Sequence, residues 1–289
     1  MTPLNPETGM MPIRPISPVA GYIGGKRVLA KTLVPMINAI PHELYAEAFL
    51  GMGGVFFRRD RRPKTEAIND YSRDVATFFR ILQNHYQAFL DMLKWQVASR
   101  AEFERLVGMD PERLTDLQRA ARFLYLQRMS FGGKVAGRTF GISTTDPAKF
   151  DLTRLVPLLE AAHARLAGVY IECLPWRAFI DRWDRPYALF FLDPPYYGVE
   201  DYYGPLFGRE EFEALSERLR TLQGRFILTL NDHAEVRRIF GWAEIEAVSF
   251  NYTCSGKPTT GREVIITGGV KLRKIEENAS ILTTREGPE

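Results

Sequence analysis

Cysteine is nearly absent: Cys173 and Cys254 are the only two in 289 residues. Two thiols so far apart make neither a disulfide framework nor a cluster with zinc-ligand spacing. A reducing, intracellular setting is therefore expected. No run of about 18 apolar residues occurs, which argues against a membrane-spanning helix. Met1–Pro18 is rich in proline and polar residues and lacks the apolar stretch of a signal peptide. Internal repeats and low-complexity core segments are also missing. A strong excess of one charge is lacking too, for the formal net charge is only +3. That value permits a polyanionic partner without requiring one. What remains is a globular composition with enough chain to bury a sizeable core. Residues 1–17 and 273–289 are expected to be disordered tails.

Hydrophobic spacing divides the rest. Arg27–Ile40 has a helical pattern that Pro35 weakens or kinks. Leu44–Phe49 reads as a strand, Gly51-Met52-Gly53-Gly54 as a turn, and Val55 as the start of a helix. Lys64–Ile68 is the next strand and ends in Asn69-Asp70. Strand, glycine turn, helix, strand and acidic residue is the order of a nucleotide-binding βαβ unit. The pattern then turns helical over Val75–Leu93, Ala101–Leu106 and Thr115–Arg128, and a glycine-rich basic loop fills Ser130–Phe150. Strand signals resume at Val169–Cys173, Tyr187–Leu192 and Arg225–Leu230, with an amphipathic helix at Glu210–Leu222. Glu244–Tyr252 and Arg262–Val270 form a terminal pair of strands. The expected fold class is α/β. Its sheet spans residues 18–74 and 151–272, and a helical insertion occupies 75–150.

The fully apolar run Ala188–Leu192 ends in Asp193-Pro194-Pro195-Tyr196. Each proline removes a ladder donor and fixes its own φ, so the strand stops in a rigid corner. In open α/β sheets, ligands bind just beyond the carboxyl ends of the strands. Such a corner suits activation of the amino group of an adenine. Its nitrogen is a weak nucleophile because the lone pair is delocalised into the ring. One N–H donated to the Asp193 carboxylate and the other to the Pro194 carbonyl would draw that nitrogen toward sp³ geometry. Acceptors held rigidly in advance need little reorganisation in the transition state. Everting a base from a duplex costs a few kcal/mol, and stacking on the ring of Tyr196 can return about 1–3 kcal/mol. Taken alone, Asp-Pro-Pro-Tyr is also an ordinary strand-ending turn.

The glycine turn after Glu47-Ala48-Phe49-Leu50 lets a ligand approach the backbone closely. It suits NAD, FAD or adenosylmethionine alike. No glycine falls at Phe56, however, so the G-x-G-x-x-G spacing of a pyrophosphate-bearing dinucleotide is not met. Asp70 stands where an acid reads ribose hydroxyls. Upstream, Tyr22-Ile23-Gly24-Gly25-Lys26 offers an ammonium to the carboxylate of a cofactor.

These pieces, in this order, resemble the D12 class of Dam-type DNA adenine methylases. The matching stretches are Tyr22–Lys26, Glu47–Phe56, Asn69-Asp70, Leu124–Arg128, Asp193–Tyr196, Leu230–His233 and Arg262–Ile266. The resemblance implies a Rossmann-like methyltransferase sheet, mainly parallel with a terminal antiparallel strand, and a helical target-recognition insertion. It implies S-adenosylmethionine as methyl donor, the N6 amino group of an everted adenine in double-stranded DNA as acceptor, and no metal. Tyr22, Lys26, Phe49, Gly51, Gly53, Asp70, Trp176 and Asp193 are expected around the cofactor. Asp193, Pro194, Pro195 and Tyr196 are expected at the target base. Gly21 stands where many members carry lysine, and Phe131-Gly132-Gly133 stands for their Phe-Asn-Gly. The stretch Glu172–Trp176 lacks the usual acid or amide near the cofactor's adenine, a place Trp176 can fill by stacking.

Charge is concentrated in the insertion. Between Gln118 and Lys149, Arg119, Arg122, Arg128, Lys134, Arg138 and Lys149 face the single acid Asp146, a local net charge of +5. Arg119, Arg122, Arg128, Lys134 and Arg138, with Tyr197, are the expected DNA contacts. Tyr197, Tyr202, Tyr203 and Phe207 are expected in a mobile lid, the alternative being core aromatics in an ordered loop, and His233 is a minor candidate for a general base. A cytoplasmic, nucleoid-associated enzyme of bacterial or phage type is expected, with or without a paired restriction endonuclease. The competing readings are an amino methyltransferase on cytosine, RNA or a protein amide, a catalytically silent DNA-binding relative, and a dinucleotide oxidoreductase.

Overall fold

The computed structural model describes residues 10–22, 24–142, 145–198, 207–254 and 257–269. Seven strands make the main sheet: β1 Leu44–Glu47, β2 Thr65–Asn69, β3 Tyr170–Glu172, β4 Ala188–Leu192, β5 Arg225–Asn231, β6 Glu244–Cys254 and β7 Lys257–Gly269. Their order is β3-β2-β1-β4-β5-β7-β6. The first five are parallel, and β7 and β6 complete the sheet as an antiparallel pair. The chain turns outward in both directions from β1 and β4, which pair directly from Leu44↔Ala188 to Glu47↔Phe191. Crevices open at such a reversal of strand order.

Strands β1 and β4 are buried along their whole length, as continuous apolar runs in parallel sheets are. Their side chains alternate between faces. Tyr45, Ile68, Leu189, Phe191 and Ile227 share one core with α1 (Ala30–Ala39), α2 (Arg73–Asn84), α3 (Tyr86–Leu93), α4 (Arg100–Val107), α5 (Asp116–Met129) and α6 (Leu152–Leu166). Leu44, Ala46, Phe190, Leu192, Phe226 and Leu228 share the other with α7 (Trp176–Trp183), α8 (Arg209–Arg220) and α9 (Ala234–Ile239). The helices expected as an insertion therefore cover one face of the sheet and share its core. Thr115 starts the central helix of that layer, α5, with a capping box closed by Gln118.

Several boundaries differ from the sequence reading. The helix expected from Val55 is a single 3-10 turn, Phe56–Arg58, ended by extended backbone at Arg59. The stretch read as one helix over Val75–Leu93 breaks at His85, whose φ of −129° and ψ of 35° leave the helical region. Residues 10–17, expected within a tail, lie along the body. Met10 is fully buried, Met11–Pro12 pairs with Arg61–Arg62, and Ile16 N–H donates to the Phe57 carbonyl. The expected lid residues Tyr202 and Tyr203 and the tail 273–289 lie outside the described residues.

Candidate active site

The elbow after β4 is built around one carboxylate. Thr229, on β5, donates its hydroxyl to Asp193 Oδ1 at 2.8 Å. The Lys26 ammonium reaches the same oxygen at 2.8 Å. Oδ2 takes no partner among the described residues. One oxygen is thus committed and the other open. Lys26 is 4% exposed, and its Nζ also donates to the Gly24 carbonyl at 3.1 Å and to the Tyr196 hydroxyl at 3.0 Å. The Tyr196 hydroxyl in turn donates to Glu263 Oε1. Lys26 had been read as the partner of a cofactor carboxylate; its nearest carboxylate is Asp193 of the elbow. Glu263 lies in the stretch Arg262–Ile266, to which the sequence reading assigns no role. The signal available was an acid opening the apolar run Val264-Ile265-Ile266, opposite Asn231 in the antiparallel register.

Beside the elbow lies the glycine turn. Gly51 adopts φ +53°, and a Cβ there would meet the Tyr22 ring at 2.9 Å. Glycine is needed both for the backbone and for the approach of that ring. Asp70 accepts from the Gly51 N–H at 2.8 Å with Oδ2 and from the Ser72 N–H at 2.8 Å with Oδ1. Its carboxyl is partly open to the cavity, yet burial pushes its pKa up to about 6 against the pull of those two N–H groups. Glu47, fully buried, is pushed up to about 8 by burial, although the Tyr45 hydroxyl donates to it at 2.8 Å. The Trp176 indole donates to Glu211 at 2.6 Å, and Phe49 packs edge-on against Phe207 at 5.7 Å.

One cavity of about 1080 Å³ joins the two halves. Tyr22, Lys26, Phe49, Gly51, Asp70 and Trp176 line it, and so do Asp193, Pro194, Pro195 and Tyr196. Gly53, at φ +71°, lies within the turn against the Phe57 ring. The volume lies just above the usual range for small-molecule sites, roughly 300–1000 Å³. The donor set fits a nucleoside-bearing cofactor. Each Asp70 oxygen keeps a lone pair for a hydroxyl, Phe49 and Trp176 bring aromatic rings to the wall, and five acids there balance Lys26 and four arginines. No group of three or more His, Cys, Asp or Glu residues with metal-binding geometry occurs among the described residues.

The basic residues of the helical layer divide. Arg119 is buried and bound to Asp74 at 2.5 Å and Glu112 at 2.9 Å. Arg122 donates to the Leu106 carbonyl at 2.7 Å and lies 3.8 Å from Asp74. Their charges are consumed inside the protein, so a count by sequence overstates what faces outward. Arg128 lines the cavity while tying Val19 and Lys149 by their carbonyls. Arg138 also lines the cavity; its Nε is buried without a partner, and burial, with help from Arg122, lowers its pKa. Lys134 is half-buried and takes no partner among the described residues. Tyr197 is only 8% exposed, packed on Phe212 and His233, with its backbone held by Asn231. An aromatic just past the elbow is as easily core as surface, and here it is core. His233 caps α9, accepting from the Glu235 N–H, and does not line the cavity.

The sheet order, the cavity at the carboxyl edge and the elbow within it define a Rossmann-like methyltransferase fold. Residues 22–253 match the D12 class N6 adenine-specific DNA methyltransferases, and the chain belongs to that family.

Proposed function

We propose that the protein transfers a methyl group from S-adenosylmethionine to the N6 amino group of an adenine everted from duplex DNA, at a specific sequence. The observation that carries this reading is the asymmetry of Asp193. One oxygen is held by Thr229 and Lys26, the other takes no partner among the described residues, and Asp193 lines the cavity that Gly51 and Asp70 share. When bound, the cofactor supplies an electrophilic methyl group. Asp193 Oδ2 accepts one N6–H, the rigid Pro194 carbonyl accepts the other, and the Tyr196 ring supports the base. Asp70 binds ribose hydroxyls, Phe49 and Trp176 hold the adenine of the cofactor, and Tyr22 and Gly51 shape its wall, with Gly53 holding the turn behind them. Arg138, Lys134 and Arg128 meet DNA where the helical layer borders the cavity.

The test is transfer of radiolabel from S-adenosylmethionine to duplex DNA, followed by nucleoside analysis. Label is expected as N6-methyladenine. Asp193→Ala is expected to lower kcat by about 100-fold or more, the scale of losing one preorganised polar group, with cofactor binding still measurable by calorimetry. Label in cytosine or RNA, or an Asp193→Ala variant at the wild-type rate, would overturn the proposal.

A further inference from the structure

Glu263 is 5% exposed on β7, at the pairing position opposite Asn231, the last residue of β5. A carboxylate in such a place costs stability unless it is well partnered. Its partners are incomplete. Oε1 accepts from the Tyr196 hydroxyl, whereas Oε2 lies 3.7 Å from the Lys26 ammonium and makes no hydrogen bond. Lys26 already has a carboxylate closer at hand, Asp193 at 2.8 Å. A counter-ion for Lys26 is therefore not a sufficient reason for a second buried acid.

The direction of the bonds supplies one. Lys26 donates to the Tyr196 oxygen, and the Tyr196 O–H donates onward to Glu263. The hydroxyl is thereby held from both sides, which anchors the far end of the ring. The same ammonium grips the Asp193 oxygen that Thr229 also holds. Resting on the function proposed above, we infer that Glu263 is a positioning residue for methyl transfer: it fixes the Tyr196 ring through its hydroxyl and, through Lys26, keeps Asp193 with one oxygen committed and one open. Burial, then the charge of Asp193, push the Glu263 pKa up, and Lys26 and the Tyr196 hydroxyl oppose that rise. The cost of the acid is partly recovered within the cluster. Without Glu263 the Tyr196 proton loses this acceptor, and Lys26 loses the second of its two neighbouring carboxylates.

The full-length chain is assayed with S-adenosylmethionine and duplex DNA as wild type, Glu263→Gln, Glu263→Ala, Tyr196→Phe and the Glu263→Ala/Tyr196→Phe double variant. Gln keeps an acceptor for the hydroxyl and the side-chain volume. Its kcat is expected to fall about tenfold, and that of Glu263→Ala about 100-fold, with KM for cofactor and DNA within about threefold of wild type. The double variant is expected to be no worse than about twofold below the poorer single variant, because both changes break one bond. Wild-type kcat in both Glu263 variants, single losses that multiply, or a loss confined to KM would overturn the inference. Should Glu263→Ala not fold, Glu263→Gln decides by the same kcat and KM criteria. The wild type separates the two claims: failure to label adenine removes the function and the inference with it. An active wild type with indifferent Glu263 variants removes the inference alone.

Discussion

Asp70 keeps its proton to a higher pH than a solvated carboxyl because burial outweighs the two N–H groups that favour its ionised form. The sign of the consequence differs for stability and for binding. The raised pKa contributes stability below the unfolded value of about 3.9, and that contribution is lost as pH rises through about 6. Ribose hydroxyls, in contrast, want an acceptor, so the cofactor selects the ionised form and pulls the proton off. Affinity for S-adenosylmethionine should therefore climb about tenfold per pH unit below 6 and level off above about 7. Calorimetry at several pH values reads this directly. Asp70→Asn should bind more weakly at pH 7.5 and lose the pH dependence in that window. An affinity in the wild type that is flat between pH 5 and 7 would take Asp70 out of the cofactor site.

At the scale of elements, the β2 strand is locked to its surroundings by charge as much as by apolar packing. Glu66, fully buried on β2, meets Arg59 at 2.6 Å and Arg165 of α6 at 2.7 Å. Arg59 lies over the Tyr45 ring at 3.8 Å, and Arg165 over Phe56 at 4.0 Å. Burial pushes the Glu66 pKa up, but the charges of Arg59 and Arg165 win and hold it below the ordinary value. The stability it contributes is present above its unfolded pKa and lost as pH falls through the folded one. Removing one partner strands the others, so Glu66→Ala should cost about 3–5 kcal/mol in urea unfolding at pH 7.5. A cost below about 1 kcal/mol would mean that the arginines find water or turn away.

Elements of this kind also mark how far the sequence could be read. The seven strands of the main sheet, the glycine turn, the elbow and the antiparallel closing pair follow from apolar runs bounded by glycine and proline, whereas the short pair Met11–Pro12 and Arg61–Arg62 carries no such signal. Helix α6 is hidden in the sequence although Leu155, Leu159, Ala162 and Leu166 repeat at helical spacing, because Pro157 in its first turns is the residue that ordinarily ends a helix. The partition of charge was not legible at all. Whether Arg119 faces a phosphate or Asp74 depends on how α5 packs against α2, a long-range fact that no local pattern carries. The same holds for the meeting of Lys26, Asp193, Tyr196 and Glu263, drawn from a loop, the end of β4 and the end of β7.

For the whole molecule, that partition decides how strongly DNA binding depends on salt. The +5 charge counted between Gln118 and Lys149 includes Arg119 and Arg122, which are spent on Asp74, Glu112 and the Leu106 carbonyl. Fewer cations than the sequence displays are left to displace counterions. Each phosphate neutralised contributes about 0.9 to the slope of log K against log salt on duplex DNA. Lys134→Ala and Arg138→Ala should each shallow that slope by about 1. Arg138→Ala, at the cavity wall, should in addition relax sequence preference. Arg119→Ala should leave the slope unchanged and lower the melting temperature instead, since it strands the largely buried Asp74 beside α5. Fluorescence anisotropy over a salt series, paired with thermal unfolding of the same variants, separates the two roles. A slope that falls with Arg119 and ignores Lys134 and Arg138 would place the DNA on a different face of the helical layer.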